Sequence, residues 1–408
     1  MRRAAAAGAL ATFVAACSTS MGPTGPQTAA IMPSADAQVA GVTRAPVKIA
    51  LLLPLGGMGE TAGIAKSMKQ AAEMALFERN DPSVQLVTKD DGGTAAGARA
   101  AADAAARDGA EIILGPLFSQ SVTGVAPMAR EAGIPVLAFS NDSNVAGNGI
   151  YMISLLAEQE AERIISFAAS QGKRRFAALI PDTAYGRAVQ PAFFRAVKRA
   201  GGTVVIAETY PTTANGMLAP VKRVVEAIKN HESAGAPVDA LFLPGGQDSL
   251  PQIGPVIAYS RLDTSRLKLL GTGAWNFPSI GRDDAFVGGW YPSPDPDAWR
   301  VFAERFAKTF GSAPPRIASV AYDAVGIAIK LSANPPGDRY TPANLMRPSG
   351  FAGVDGVVRF GANGLSEHSL AVLQVQKFGA VVVDPAPTSL NGTRLSEAEQ
   401  GLSPVAAR

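Results

Sequence analysis

The chain has 408 residues, of which 47% are hydrophobic, and its 37 Lys and Arg side chains nearly balance 34 Asp and Glu. This balance and the lack of a basic patch argue against nucleic-acid binding. A single cysteine excludes an internal disulfide and a cysteine metal site. His231 and His368 lie far apart in polar stretches, so we expect both at the surface rather than in catalysis. We therefore predict no enzymatic activity, no metal and no cofactor.

The chain begins with a segment that resembles a bacterial lipoprotein signal. Met1-Arg2-Arg3 precedes the apolar stretch 4–16, which ends in Val-Ala-Ala before Cys17, the only cysteine. A basic start, a short apolar core and small residues at the cut site are typical of a secretory signal, and a bilayer span needs about 20 residues. The resemblance implies removal of residues 1–16, acylation of Cys17 and anchoring in the periplasm, with Ser18 favouring the outer membrane. The alternatives are an unacylated signal and a chance cysteine in a disordered leader.

Two further segments are predicted to lie outside the folded part of the chain. Residues 17–45 are rich in Ser, Thr, Gly, Pro and Ala without any period, which is typical of a flexible tether. The C-terminal segment 385–408 has a similar composition, and we expect it to be disordered.

Between these segments, short apolar strands alternate with amphipathic helices. Strands are predicted at Val47–Leu55, Val84–Thr88, Ala110–Leu117, Ile134–Ser140, Arg175–Ile180, Thr203–Glu208, Ala240–Pro244 and Leu267–Gly271. Helices are predicted at Ile64–Arg79, Ala95–Asp108, Ser121–Ala132, Tyr185–Ala200 and Met217–Lys229. This alternation indicates parallel sheets covered on both faces. Because an open sheet rarely exceeds about ten strands, we predict two sheets, with the break near Tyr151–Leu155.

Five turns that directly follow strands are candidates for a ligand site. They are residues 56–63, 115–121, 140–144, 182–186 and 245–248. Each mixes small residues with hydroxyls or amides at a helix start, where unpaired backbone N–H groups can hold an anion. For any single turn, a helix cap without a ligand is an equally good interpretation. Five turns at the same end of parallel strands favour a ligand cleft.

Two local patterns admit other functions. Gly57–Ala62 fits the dinucleotide motif G-x-G-x-x-[G/A], but the acidic residues that would hold the ribose, Asp90 and Asp91, come late. A tight turn that approaches a ligand is the alternative interpretation. The Asp90-Asp91 pair could serve acid–base catalysis, but we interpret it as a solvated turn that caps the next helix.

Several motifs together resemble the type I periplasmic binding proteins of the leucine-binding group. They are Val47–Leu55, Ala132–Leu137, Ala184-Tyr185-Gly186 and Gly245-Gly246. The resemblance implies an α/β fold of two Rossmann-like lobes with parallel sheets, joined by three crossovers and closing on a small-molecule ligand. We expect residues 46–152 plus 275–350 in the N-terminal lobe and 153–274 plus 351–384 in the C-terminal lobe.

The resemblance also implies which residues contact the ligand. In the amino-acid binders of this group, a Ser after the third strand meets the ligand carboxylate, and the turn after the fourth strand supplies backbone amides and a Thr. A tyrosine of the Ala-Tyr-Gly motif and a second-lobe tyrosine complete the site. The corresponding residues are Ser119, Gln120, Ser121, Ser140, Asn141, Asp142, Tyr185 and Gln247, the last in place of the second-lobe tyrosine.

This chain departs from the amino-acid binders at their ammonium site. The group usually carries an acidic residue near the strand that here ends at Gly271, but this chain reads Gly271-Thr272-Gly273-Ala274-Trp275. Without that charge, we expect free leucine to bind weakly or not at all. The departures and the Cys17 anchor also resemble lipoproteins that activate penicillin-binding proteins. Two functions therefore stay open: capture of a ligand for an ABC permease, or regulation of a peptidoglycan synthase.

Overall fold

Two large sheets and a small third sheet organise the described part of the chain, which in this computed structural model comprises residues 45–213, 216–260, 262–263 and 266–390. The predicted signal, Cys17 and nearly all of the tether lie outside the described residues. The helices are α1 (Glu60–Arg79), α2 (Ala95–Arg107), α3 (Ser119–Ala132), α4 (Ala157–Ser170), α5 (Ala184–Arg199), α6 (Leu218–Ser233), α7 (Leu250–Tyr259), α8 (Pro296–Phe310), α9 (Ala318–Ser332) and α10 (Pro342–Leu345).

Eight of the fifteen described strands correspond to predicted ones, and several of these eight are shorter than predicted. The fifteen strands are β1 (Val47–Leu53), β2 (Val84–Asp90), β3 (Ala110–Leu114), β4 (Val136–Ala138), β5 (Ile150–Met152), β6 (Arg175–Pro181), β7 (Thr203–Tyr210), β8 (Ala240–Phe242), β9 (Lys268–Leu270), β10 (Trp290–Ser293), β11 (Phe351–Gly353), β12 (Gly356–Phe360), β13 (Ser366–His368), β14 (Ala371–Val375) and β15 (Ala380–Asp384).

The first lobe is built on a parallel sheet with the strand order β2-β1-β3-β4-β5. Leu51 of β1 belongs to a core shared with α1, α8 and α9, whereas its neighbour Leu52 belongs to a core shared with α2 and α3. Successive side chains of a strand point to opposite faces. The unbroken apolar sequence of β1 is therefore explained by helices on both faces of the sheet.

The second lobe contains a larger, mixed sheet with the order β15-β14-β10-β9-β8-β6-β7. Strands β6 to β10 pair in parallel, as predicted for β6 to β9, whereas β10 was not predicted. Strands β14 and β15 add to the edge in antiparallel fashion, which the strand–helix alternation did not predict. The fold is therefore the predicted two-lobed α/β architecture with an antiparallel extension of its second sheet.

The lobe boundaries differ from the predicted ones in two places. Residues 275–293 belong to the second lobe, because β10 pairs with β9 and β14, and Trp275 is buried in that lobe's core. Residues 351–368 form the antiparallel sheet β11-β12-β13, and Phe351 and Phe360 pack into the first lobe's core. The link between β9 and β10 consists of short 3₁₀ turns without a periodic apolar pattern, so nothing local marks its lobe.

The chain passes between the lobes three times, as predicted. The passages are residues 153–156 between β5 and α4, 294–295 between β10 and α8, and 369–370 between β13 and β14. The hydroxyl of Ser154 donates to the carbonyl of Phe139 at 2.6 Å, which ties the first passage to the first lobe.

Two predictions about exposure are wrong. His368 is buried, with its Nε2 3.0 Å from the carbonyl oxygen of Ile153, and burial lowers its pKa. Its polar neighbours in sequence suggested the surface, but β13 packs against the first passage. The disorder predicted for residues 385–408 does not hold for residues 385–390, since Leu390 is 2% exposed and its carbonyl accepts from Nη1 of Arg359 at 2.9 Å. Residues 391–408 lie outside the described part.

Among the helices that the structure describes, none combines the length and apolarity needed to cross a bilayer.

Candidate functional site at the strand ends of the two lobes

The five predicted turns all follow the carboxyl ends of parallel strands. They come after β1, β3 and β4 in the first lobe and after β6 and β8 in the second. This is the edge at which open α/β sheets bind ligands. The arrangement therefore brings the turns of each lobe together, as the sequence predicted.

The turn after β3 presents part of its polar set and buries the rest. Ser119 opens α3 and is half-buried, and Gln120 is exposed, with its Nε2 donating to the carbonyl of Gly93 at 2.6 Å. Ser121 is fully buried, and its Oγ has no partner among the described residues. Ser119 and Gln120 are thus accessible to a ligand, whereas a direct contact with Ser121 would require α3 to move.

The neighbouring Asp90-Asp91 turn is structural, although it is not the solvated cap that the sequence suggested. Asp90 accepts hydrogen bonds from the N–H groups of Gly56 and Gly92 at 3.0 and 2.9 Å. Asp91 is fully buried, and this burial raises its pKa, although it accepts a bond from Gly93 N–H at 2.7 Å. The cap of α2 is Thr94.

The turn after β4 connects the two lobes. Ser140 is buried and its Oγ accepts from the N–H of Asp142 at 3.1 Å, while Asn141 is exposed. The next residue, Ser143, donates from Oγ to Oε1 of Glu158 at 2.8 Å. Since Glu158 lies in the first turn of α4, this bond joins a strand-end turn of the first lobe to the second lobe.

In the second lobe, Tyr185 contacts the loop that follows β9. Its phenolic oxygen lies 2.5 Å from Oγ1 of Thr272, and Thr272 is fully buried. Burial strongly raises the pKa of Tyr185, and the charges of Glu160 and Glu158 raise it further. Tyr185 is therefore a neutral hydroxyl at physiological pH. Gln247, after β8, is exposed and has no hydrogen bond among the described residues.

Glu160 is a buried acidic residue beside the candidate site that the sequence patterns did not single out. Its side chain is buried beside the loop after β9, where a hydrogen bond from the Gly273 N–H opposes the rise in pKa. Burial dominates and raises the pKa of Glu160 to about 7, with a smaller contribution from Glu158. The available signal was two acidic residues in the first turn of α4, a position that usually means only a favourable helix dipole.

A cavity of about 690 Å³ lies on the flank of α4, and its lining includes Ser143 and Glu158, the pair that joins the two lobes. It is lined on one side by Arg163, whose Nη2 pairs with Asp384 at 2.5 Å, and on another by Leu390. None of the eight predicted ligand-binding residues lines it. The described residues contain no cluster of side chains suited to a metal ion.

The two lobes, the three passages and the turns at one edge define a two-lobed α/β protein of the ligand-trapping type. The sequence profile of the family described as "Periplasmic binding protein" matches residues 46–380, and the chain belongs to this family. The resemblance to type I periplasmic binding proteins is thus confirmed, and membership implies a periplasmic location. No curated protein matches the chain in sequence.

Solved structures of similar fold support the same architecture. A putative branched-chain amino acid ABC transporter protein from Rhodospirillum rubrum has a TM-score of 0.73 at 20% identity, over 83% of this chain and all (100%) of that one. An ABC transporter substrate-binding protein from Desulfitobacterium hafniense, in complex with Leu, has a TM-score of 0.60 at 18% identity over 83% and 100%. A solute-binding protein from Rhodopseudomonas palustris BisB5, in complex with 3,4-dihydroxybenzoic acid, has a TM-score of 0.56 at 21% identity over 84% and 99%. At these identities the similarity shows the fold.

Proposed function

We propose that this chain is the substrate-binding component of a branched-chain amino acid-type ABC transporter. It would lack enzymatic activity, work in the periplasm as a lipoprotein anchored through Cys17, and deliver its ligand to an ABC permease. The observation that carries the proposal is the meeting of both lobes at their strand-end turns, through the Ser143–Glu158 hydrogen bond. Closure of two lobes around a ligand is the usual response of this architecture.

The first lobe supports recognition of a carboxylate. Helix α3 begins after Phe118 without a side-chain cap, so its first backbone N–H groups need another acceptor. Together with the helix dipole, these N–H groups favour an anion, and the hydroxyl of Ser119 lies at the same helix start. A ligand carboxylate at this position would satisfy the helix end.

The test is direct ligand binding. Native mass spectrometry of the purified full chain should reveal a retained small molecule, and calorimetry with carboxylate-bearing ligands should show saturable binding. Ser119→Ala should weaken that binding by about 10- to 150-fold, because one hydrogen bond to a charged group is worth about 1.5–3 kcal/mol. Ser170→Ala, at the far end of α4, is the matched control. If no carboxylate ligand binds to the folded protein, the proposal is wrong.

A second assay distinguishes the two partners. Co-purification from membranes should recover an ABC permease, and deletion of the gene should reduce uptake of the ligand. Regulation of cell-wall synthesis is the alternative. Recovery of a bifunctional penicillin-binding protein, with altered glycan synthesis and unchanged uptake, would replace transport by that function.

A further inference from the structure

We propose that the groove between α6 and α7 is an interface through which two copies of this chain pair about a twofold axis. The groove has a volume of about 690 Å³ and lies between residues 218–229 of α6 and residues 255–260 at the end of α7. None of the eight predicted ligand-binding residues lines it, and neither do the three passages between the lobes. Pairing at this groove therefore leaves the strand-end turns of each copy free, and it is a property separate from the proposed ligand binding.

The apolar residues of the groove expose an unusually large surface to water. Tyr259, the last residue of α7, is 89% exposed, and Leu218, the first residue of α6, is 45% exposed. Val225, which is buried, and Val256, which is half-buried, belong to the same lining. Apolar side chains gathered at one surface mark interaction sites, and aromatic residues are enriched where proteins meet. The groove and its exposed tyrosine therefore offer a partner both a depression and a side chain to bury.

The charges of the groove identify a second copy as the partner. Lys222, Glu226 and Lys229 line it, and all three are exposed. Although they lie three or four positions apart on one helix, none of them belongs to an ion pair among the residues that the structure describes. A partner with charges of one sign would meet at least one like charge. A partner that presents both signs in the opposite order complements the face.

A twofold axis produces that opposite order from the same face. Lys222 and Glu226 are equally spaced on either side of Val224 in the sequence of α6. When two α6 helices pair in antiparallel fashion about this position, Lys222 of each copy lies opposite Glu226 of the other. Such a contact uses one patch twice, as most homodimers do. Each copy also contributes its own Tyr259 and Leu218 to the shared apolar surface.

The test is sedimentation equilibrium of the full chain carrying Cys17→Ser, which excludes any acyl group. We expect a monomer–dimer equilibrium at concentrations up to about 200 µM, because two helices per copy form an interface at the small end of the usual range. Tyr259→Ser should weaken the dimer about 10-fold or more, since buried aromatic side chains dominate interfaces. Phe378→Ser is the matched control: Phe378 is 95% exposed between β14 and β15, outside the groove, and its loss should leave the dimer unchanged.

Charge reversal tests the twofold contact itself. Lys222→Glu and Glu226→Lys should each weaken the dimer about 10-fold, because either change places like charges opposite each other. An equimolar mixture of the two variants should dimerise again, since one copy then presents two carboxylates to two ammonium groups of the other. Lys198→Glu, at an exposed position of α5 outside the groove, is the control and should have no effect.

The possible outcomes separate a second copy from other occupants. A monomer at every concentration would overturn the proposal, and so would a dimer that Tyr259→Ser and both charge reversals leave unchanged. Failure of the mixture to dimerise would exclude the twofold pairing. A monomer that co-sediments with anionic lipid vesicles, and loses this binding in Lys222→Glu, would assign the groove to a membrane surface instead. All the substituted side chains are exposed, so the circular dichroism spectra should stay unchanged.

Discussion

The phenolic oxygen of Tyr185 and Oγ1 of Thr272 lie 2.5 Å apart, joining the start of α5 to the loop after β9. Thr272 is fully buried, so its hydroxyl would be left without this partner in Tyr185→Phe. We expect Tyr185→Phe to lower the free energy of unfolding by about 1–2 kcal/mol. Urea unfolding of Tyr185→Phe, Thr272→Val and the double variant measures the coupling. Additive effects of the two substitutions would contradict a direct bond.

The free energy of unfolding of the ligand-free protein should depend on pH through the titration of Glu160. Because its folded pKa of about 7 exceeds the ordinary value, the folded state keeps a proton that the unfolded state loses. Its contribution is therefore favourable below the unfolded pKa, and it is lost as the pH rises through about 7. Glu160→Gln abolishes this loss and should be more stable than wild type at pH 8, by an amount on the order of 1–3 kcal/mol.

The comparison with acid conditions makes this prediction specific. Near pH 4.5 Glu160 is protonated when folded, so the advantage of Glu160→Gln should nearly disappear. Chemical unfolding at both pH values, with Glu162→Gln as the control, measures the difference. An advantage of equal size at both pH values would mean that the carboxylate does not titrate as inferred.

The glycine of the Ala-Tyr-Gly motif, Gly186, lies where the structure leaves no room for a side chain. A Cβ at Gly186 would lie 1.8 Å from the carbonyl oxygen of Pro181 at the end of β6. Gly186→Ala should therefore push α5 away from its strand and destabilise the protein by about 2 kcal/mol or more. Thermal unfolding should show the loss.

Gly63, unlike Gly186, lies where the structure has room for a side chain. It lies in α1, and an added Cβ would meet nothing within 4 Å. Gly63→Ala should stabilise the protein by about 0.5–1 kcal/mol, because alanine loses less backbone entropy in a helix. If both alanine variants change stability in the same direction, close packing is not what distinguishes the two positions.

The proposed lipid anchor is testable by substituting Cys17. Cys17→Ala should abolish labelling with a fatty-acid probe and release the protein from the membrane fraction, because Cys17 supplies the only thiol. Cys17→Ser retains the size of the side chain and should behave in the same way. Continued labelling of either variant would show that Cys17 is not the site of acylation.

Local patterns allowed much of the fold to be predicted. The alternation of apolar strands and helices located β1 to β4 and β6 to β9 but missed the short strand β5, and glycines at positions 109 and 133 marked helix ends. The same patterns failed at the second passage, because the 3₁₀ turns between β9 and β10 have no apolar period. They also failed at His368, whose burial depends on packing against Ile153 rather than on its neighbours in the chain.

The residues of the candidate site likewise include some that the sequence could predict and some that it could not. Ser119 and Tyr185 could be proposed from motifs after strands, whereas Ser121, in the same motif as Ser119, is buried and cannot be reached without rearrangement. Glu160 could not be proposed, because an acidic residue in the first turn of a helix is common and says nothing about distant contacts.

The amino-acid sequence by itself determined the two α/β lobes and the position of polar turns after their strands, since periodicity and turn chemistry act over a few neighbouring residues. Only the tertiary structure decided which charge meets which loop. Glu160 and Gly273 are more than a hundred positions apart, and their contact follows from the packing of α4 on the second lobe's sheet, in one core with Leu270 of β9, rather than from any pattern in the intervening chain. The physical reason is that a buried charge is defined by its surroundings, which the fold assembles from distant segments.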